Sequence, residues 1–154
     1  LTKFGGHPMA AGLSLPEENV EAFRKKLNEN CTLTQEDMTE KIVIDVPMPM
    51  SYVTIPLIRQ LSLLEHFGKG NTKPVFAQKN MKVRGYRIVG NTKNVVKMDL
   101  SDDYGFQAEG VWFGEGEEFA KRLQEKEKWD MIYYPSVNSY MGRESIEMII
   151  QNIR

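Results

Sequence analysis

The sequence predicts an α+β protein: a small closed antiparallel β-barrel with a lead-in helix, preceded by a short strand–helix piece. Three features carry that expectation. Short runs rich in β-branched and aromatic residues, separated by glycine or asparagine turns, fill the chain from Pro74 to Leu100. One charged, amphipathic helical stretch stands before the last two strands, an order that suits a barrel with an inserted helix. A separate proline-opened helix near the start is followed by a polar connector, which marks a change of domain.

The elements follow in order. Met9-Ala10-Ala11-Gly12-Leu13 reads as a strand or a tightly packed turn in which backbones approach closely. A helix follows from Pro16, with Glu17 and Glu18 in its first turn and Arg24, Lys25 and Lys26 nearer its end, as the helix dipole favours. Val20, Phe23 and Leu27 share one face of it. Asn28 to Asp37 is the polar connector, and the boundary falls between residues 1–35 and 36–154. Lys41 to Val46 is a β-branched run closed by Pro47 and Pro49, and reads as a strand. Thr54 to Phe67 reads as a helix capped by Thr54, with Ile58, Leu61 and Leu64 on one face, stopped by Gly68-Lys69-Gly70-Asn71. Pro74–Gln78, Met81–Val89, Val95–Leu100 and Phe106–Phe113 read as strands. A helix over 115–126 turns Phe119 and Leu123 inward, and pairs Glu117 with Lys121, Glu118 with Arg122 and Lys121 with Glu125 at spacing four. Trp129–Tyr134 and Glu144–Ile153 are the last strands.

Composition narrows the functional classes. The 154 residues are 41% hydrophobic and 27% charged, a balance that excludes a disordered or low-complexity chain. No apolar run approaches the roughly 18 residues that would span a bilayer. A single cysteine, Cys31, excludes an internal disulfide and suits a reducing compartment, hence the cytoplasm. A net charge of -1 argues against a binder that grips nucleic acid by charge alone, although a locally basic face fits within a neutral total. The chain opens on Leu1 with Gly5-Gly6-His7 close behind, and reads as a piece of something longer.

Three stretches, in order, resemble the RecJ exonuclease family. Phe4-Gly5-Gly6-His7-Pro8-Met9-Ala10-Ala11-Gly12 resembles the Gly-Gly-His motif of the DHHA1 domain, which follows the catalytic DHH domain in such phosphoesterases. Leu64-Glu65-His66-Phe67-Gly68-Lys69-Gly70-Asn71-Thr72-Lys73-Pro74-Val75-Phe76 is similar to the signature that leads into the family's OB-fold domain. Met141-Gly142-Arg143-Glu144-Ser145 through Arg154 is similar to that domain's last hairpin and strand. Lys69 and Lys73 depart from acids common in the family, and Tyr140-Met141 replaces a common Trp-Asn pair. The resemblance implies that residues 1–35 are the end of a DHHA1 domain and that 36–154 form the OB-fold domain. It implies that the parent is a 5′→3′ single-stranded-DNA exonuclease of recombination and repair. The parent's Mg²⁺ or Mn²⁺ would sit in a DHH domain absent from this chain, and this chain alone would be inactive.

The residues point to chemistry in two places. Adjacent Gly5 and Gly6 let backbone amides approach an anion, and His7 can donate to a phosphate oxygen, although a tight turn has the same residues. The resemblance places these three near the scissile phosphate. In the barrel, alternation puts Lys82, Arg84 and Tyr86 on one strand face, a cation–aromatic mix suited to a single strand, with Lys93, Lys97 and Arg143 near turns. Exposed Lys and Arg also simply keep strands soluble. Trp112, Phe113, Tyr133 and Tyr134 could stack bases, but small barrels more often place such residues in the core. Nine scattered methionines read as gap-fillers. Asp102-Asp103 before Tyr104-Gly105 reads as a turn, not a catalytic pair. His7 and His66 stand far apart with no neighbouring ligand pattern, so neither a metal site nor a catalytic residue is expected in this chain.

The expected partners are single-stranded DNA, the DHH domain in cis and a single-strand-binding protein, with no membrane. The apolar positions of residues 1–35 would also invite a crystal dimer. The alternative is an OB-fold module that docks a protein and binds no DNA, since fold alone does not fix function. A member of the superfamily acting on small phosphate esters is disfavoured by the barrel, which such substrates do not need.

Overall fold

The computed structural model describes residues 2–39 and 41–154. The chain divides into two compact units, Leu1–Ile42 and Val43–Arg154.

In the first unit, β1 (Lys3–His7) and β2 (Ala10–Ser14) form an antiparallel hairpin in which Gly5 faces Gly12 and His7 faces Ala10. A 3-10 turn over Glu17–Asn19 leads into α1 (Val20–Glu29). None of its described residues is buried; of the expected stripe only Phe23 is half-covered, while Val20 and Leu27 stay exposed. A lone hairpin and a ten-residue helix gain little from their own packing.

The second unit holds the core. Its elements are β3 (Val46–Pro47), α2 (Ile55–Leu61), β4 (Phe76–Val89), β5 (Val95–Ser101), β6 (Gln107–Phe113), α3 (Gly116–Leu123), β7 (Lys128–Tyr140) and β8 (Arg143–Ile153). Strands run in the order β4-β5-β6-β8-β7, and β4 also pairs with β7, which closes the ring. Closure leaves no long free edge to template aggregation. The ring is antiparallel except at β6–β8, which pair in parallel because α3 carries the chain across between β6 and β7. The expectation of an all-antiparallel barrel is corrected at that one pair.

Several expected boundaries also move. Lys41–Ile44 forms no strand, and only Val46–Pro47 pairs, in parallel, with Phe76–Ala77. β-branched propensity needs a partner strand, and in this parallel register Lys41–Ile44 would stand beside residues 71–74, which precede β4. The helix expected over 54–67 ends at Leu61 and tightens into a 3-10 turn over Ser62–Leu64. Thr54 is its cap, accepting a hydrogen bond from the Leu57 amide. The two strands expected at 74–78 and 81–89 are one bent strand, kinked where Asn80 adopts φ 58°. α3 ends at Leu123, and its charges pair outside the helix: Glu117 with Lys93 at 2.6 Å, and Arg122 with the Ile153 carbonyl at 2.6 Å.

Inside the ring lie Met81, Val96, Met98, Leu100, Trp129 and Tyr133. α3 closes one side with Phe119 and Leu123, and Trp112 stacks on Phe119 with ring centroids 4.3 Å apart. The lead-in segment supplies Met50, Val53 and Ile58 to the same cluster. It is tied down by polar bonds: the Met50 amide donates to Gln78, and the Tyr133 hydroxyl donates to the Met48 carbonyl at 2.8 Å. Met50, Met81, Met98, Met131 and Met148 are fully buried, the gap-filling role expected of them.

Candidate nucleic-acid interface

A β-bulge decides which side chains of β4 share a face. Val83 faces Leu100 and Gly85 faces Asp99, so Arg84 is an extra residue without a partner on β5. Before it, Met81 and Val83 turn to the core; after it, Tyr86 and Ile88 stand opposite the core residues Met98 and Val96. One inserted residue reverses the period-two alternation. Lys82 and Arg84 therefore share the outer face with Arg87, and not with Tyr86. This corrects the expected Lys82–Arg84–Tyr86 face. Tyr86 turns to the barrel side, where its hydroxyl accepts a hydrogen bond from Gln124 at 2.7 Å.

The outer face of β4, β5 and β6 is ordered in cross-strand rows. Val89, Val95 and Phe113 form the first row, and Arg87, Lys97 and Val111 the next. Phe113 is 59% exposed, an aromatic ring at the end of a row of half-covered valines, with Arg87 in the next row on β4. Of the four aromatics assigned to the core, Tyr133 and Tyr134 are buried and Trp112 packs on the core, but Phe113 is outside. The missed signal is local: Trp112 and Phe113 are adjacent in one strand, so only one can face inward.

The third row is acidic. Asp99, Glu109 and Glu147 lie side by side on β5, β6 and β8. Lys97 reaches into it, bonding Glu109 at 2.6 Å and Glu147 at 2.9 Å. Those two bonds raise the Lys97 pKa against the cost of burial. Burial pulls the Glu109 carboxyl up, but the Lys97 bond, Glu147 and the Arg87 charge outweigh it and hold it below its ordinary value. Lys97 is thus committed to two carboxylates, whereas Arg87 touches Glu109 only at 3.8 Å. Lys93 sits in the β4–β5 turn at φ 54° and is paired with Glu117. Arg143 stands opposite Tyr140 at the free tip of the β7–β8 hairpin, across a Met141-Gly142 turn with both φ positive. The structure brings Lys82, Arg84 and Lys97 to one face and leaves Lys93 and Arg143 at turns.

The Gly-Gly-His hairpin is a separate site in the first unit. Gly5, Gly12 and His7 lie on one of its faces and Phe4 and Leu13 on the other. The Met9 amide donates to His7 Nδ1 at 3.3 Å, so in the neutral ring Nε2 carries the proton and points away from the turn as a donor. A Cβ at Gly5 or Gly12 would meet nothing within 4 Å, so the unit itself does not demand glycine there. Among the described residues no cluster of three or more His, Cys, Asp or Glu could hold a metal ion, and no helix is long and apolar enough to cross a membrane. Asp102 and Asp103 form the β5–β6 turn: Asp102 accepts from the Tyr104 and Phe106 amides, and Asp103 pairs with Lys128.

A closed ring in the order β4-β5-β6-β8-β7, with α3 inserted in the chain between β6 and β7, is an OB-fold barrel. Residues 44–152 match the family described as the RecJ OB domain, and the chain belongs to that family. It is 30% identical over 154 residues to the single-stranded-DNA-specific exonuclease RecJ of Bacillus subtilis, covering 99% of this chain and 19% of that protein. It is 27% identical over 162 residues to the Escherichia coli protein of the same name, covering 99% of this chain and 26% of that one. The chain thus spans about a fifth to a quarter of these relatives. The fold is that of Thermus thermophilus RecJ, solved in complex with Mn²⁺ (TM-score 0.72, 20% identity, 100% of this chain, 22% of that one). The same protein in complex with Mg²⁺ gives a TM-score of 0.77 at 21% identity, over 100% of this chain and 23% of that one.

Proposed function

We propose that this chain is the DNA-holding, C-terminal part of a RecJ-like 5′→3′ exonuclease, in which a single strand lies on the outer face of β4, β5 and β6. The observation that carries the reading is the exposed Phe113 ring in one row with Val89 and Val95, with Arg87 in the next row. Aromatic platforms flanked by cations hold single strands without regard to sequence, because every base has a π-face. A duplex, whose bases are already stacked on each other, cannot use such a platform. The acidic row beyond Lys97 repels phosphates, so the backbone runs along β4, past Arg87, Arg84 and Lys82.

Residues 1–35 are read as the end of a DHHA1 domain whose Gly5, Gly6 and His7 approach the substrate phosphate. Support comes from the open space over Gly5 and Gly12, which a backbone or phosphate can enter, and from the outward Nε2 donor of His7. Hydrolysis, with its Mg²⁺ or Mn²⁺, belongs to a DHH domain outside this chain, and the parent works in the cytoplasm in recombination and repair. The relatives carry the name of single-stranded-DNA-specific exonuclease, which supports the substrate class.

Fluorescence anisotropy of labelled single-stranded and duplex DNA across a salt series tests the interface. The wild-type chain should prefer the single strand and weaken as salt rises, through counterion release. Phe113→Ala should weaken it by about 1–3 kcal/mol, the worth of one stacked base. Absence of binding at low salt, or binding indifferent to salt and to Phe113, would instead favour a protein-docking barrel.

A further inference from the structure

The β5–β6 turn presents a second aromatic that neither the core nor the Phe113 row explains. Tyr104 is 96% exposed at its tip. The turn that carries it is pinned from inside and outside. Asp102 Oδ1 accepts from the Tyr104 and Phe106 amides, both at 2.9 Å, and Gly105 supplies the left-handed φ of 87° that lets the chain reverse. Asp103 is gripped by Lys128 Nζ through both carboxylate oxygens, at 2.8 and 2.7 Å. A tyrosine held on a fixed backbone yet covered by nothing loses little conformational freedom when a flat ligand stacks on it.

Charges of both signs surround it, and most are paired with one another. Lys82 stands opposite both Ser101, where the turn begins, and Lys128 on β7. Lys82 and Lys128 are each engaged by a carboxylate, Glu127 and Asp103. The ion pairs among the described residues take Lys82 and Arg87 but not Arg84, which the bulge turns outward on the same strand. Bulges commonly re-aim one side chain in this way beside functional sites. The distance along β4 from Lys82 to Val89 is about 23 Å at roughly 3.3 Å per residue, so the Tyr104 and Phe113 ends lie too far apart to serve one base.

We propose that Tyr104 and Arg84 form a second single-strand station, the ring stacking a nucleobase and the guanidinium taking a backbone phosphate, so that one strand is held at both ends of the stretch where β4 pairs with β5. This rests on the reading of that face as the single-strand site. It sets a footprint: a ligand must be long enough to reach both ends to gain from both.

The test compares binding of oligothymidylates of about 4 and about 12 nucleotides, within the range of single OB barrels, to the full 154-residue chain. Wild type should bind the longer oligomer markedly more tightly. Tyr104→Ala should weaken the longer oligomer about tenfold, towards the affinity of the shorter, while Tyr104→Phe retains it. The exposed ring makes misfolding no part of the result, and an unchanged melting curve checks that. If Tyr104→Ala binds the longer oligomer like wild type while Phe113→Ala does not, the second station is refuted and the first stands. If wild type binds neither oligomer, both readings fall together.

Discussion

At the scale of single residues, the barrel depends on a few contacts with no slack. A Cβ at Gly116 would press into the Lys93 carbonyl oxygen and lie 3.0 Å from Ile88 Cγ2. Gly116→Ala must therefore move the β4–β5 turn or the start of α3, and should cost about 1–3 kcal/mol in a urea titration. Tyr133 is fully buried and its hydroxyl donates to the Met48 carbonyl. Tyr133→Phe should lose about 0.5–1.5 kcal/mol at neutral pH. Burial raises the Tyr133 pKa above its ordinary value. The folded state thus keeps the proton that the unfolded chain releases near pH ~10. Stability from this group is complete below that pH and falls as pH rises through it. The gap between wild type and Tyr133→Phe should accordingly narrow above pH ~10 in a series of denaturant titrations; a constant gap would show that the phenol is not desolvated.

At the scale of elements, the start of α2 and the bulge of β4 do different work. Thr54 caps α2, and Thr54→Ala should destabilise the chain by about 1 kcal/mol, read from the same titration with unchanged slope. The cap was legible because its signal is local, a threonine two residues before a proline at the head of an apolar stripe. The bulge was not, because nothing in Lys82-Val83-Arg84-Gly85-Tyr86 marks where β5 will skip a residue. Its consequence is large: an outward Tyr86 gives way to an outward Arg87. Tyr86→Ala, which removes the ring along with its contact to Gln124, should leave the single-strand affinity of the folded chain within about twofold where Phe113→Ala does not; it separates a barrel-side tyrosine from a DNA-facing one.

For the whole molecule, the two units differ in what holds them. Residues of Val43–Arg154 surround one apolar cluster inside a closed ring, whereas the described residues of the first unit bury none of their side chains. Amide exchange should report this as strong protection across β4, β5, β6, β7 and β8, and weak protection across β1, β2 and α1. Protection of β1 and β2 equal to that of the barrel would mean that the hairpin is covered, for instance by a second copy, and a concentration-dependent mass would identify that cover.

The sequence by itself determined the class: strand-rich runs and one inserted helix led to a small closed barrel, because periodicity, capping and turn chemistry are written in neighbouring residues, and the resemblance of three ordered motifs led to the OB domain of this family. It also put Lys82 and Arg84 on one strand face, while Lys97, expected near a turn, lies within β5. Tertiary structure alone decided how those cations are used. Lys97 is neutralised by glutamates that stand 12 and 50 residues away in the chain. Phe113 faces solvent because Trp112 takes the place against Phe119, and Arg87 replaces Tyr86 because one residue is skipped in register. Each outcome is set by which strand lies alongside, and strand adjacency in a closed barrel is a property of the ring, not of any stretch of sequence.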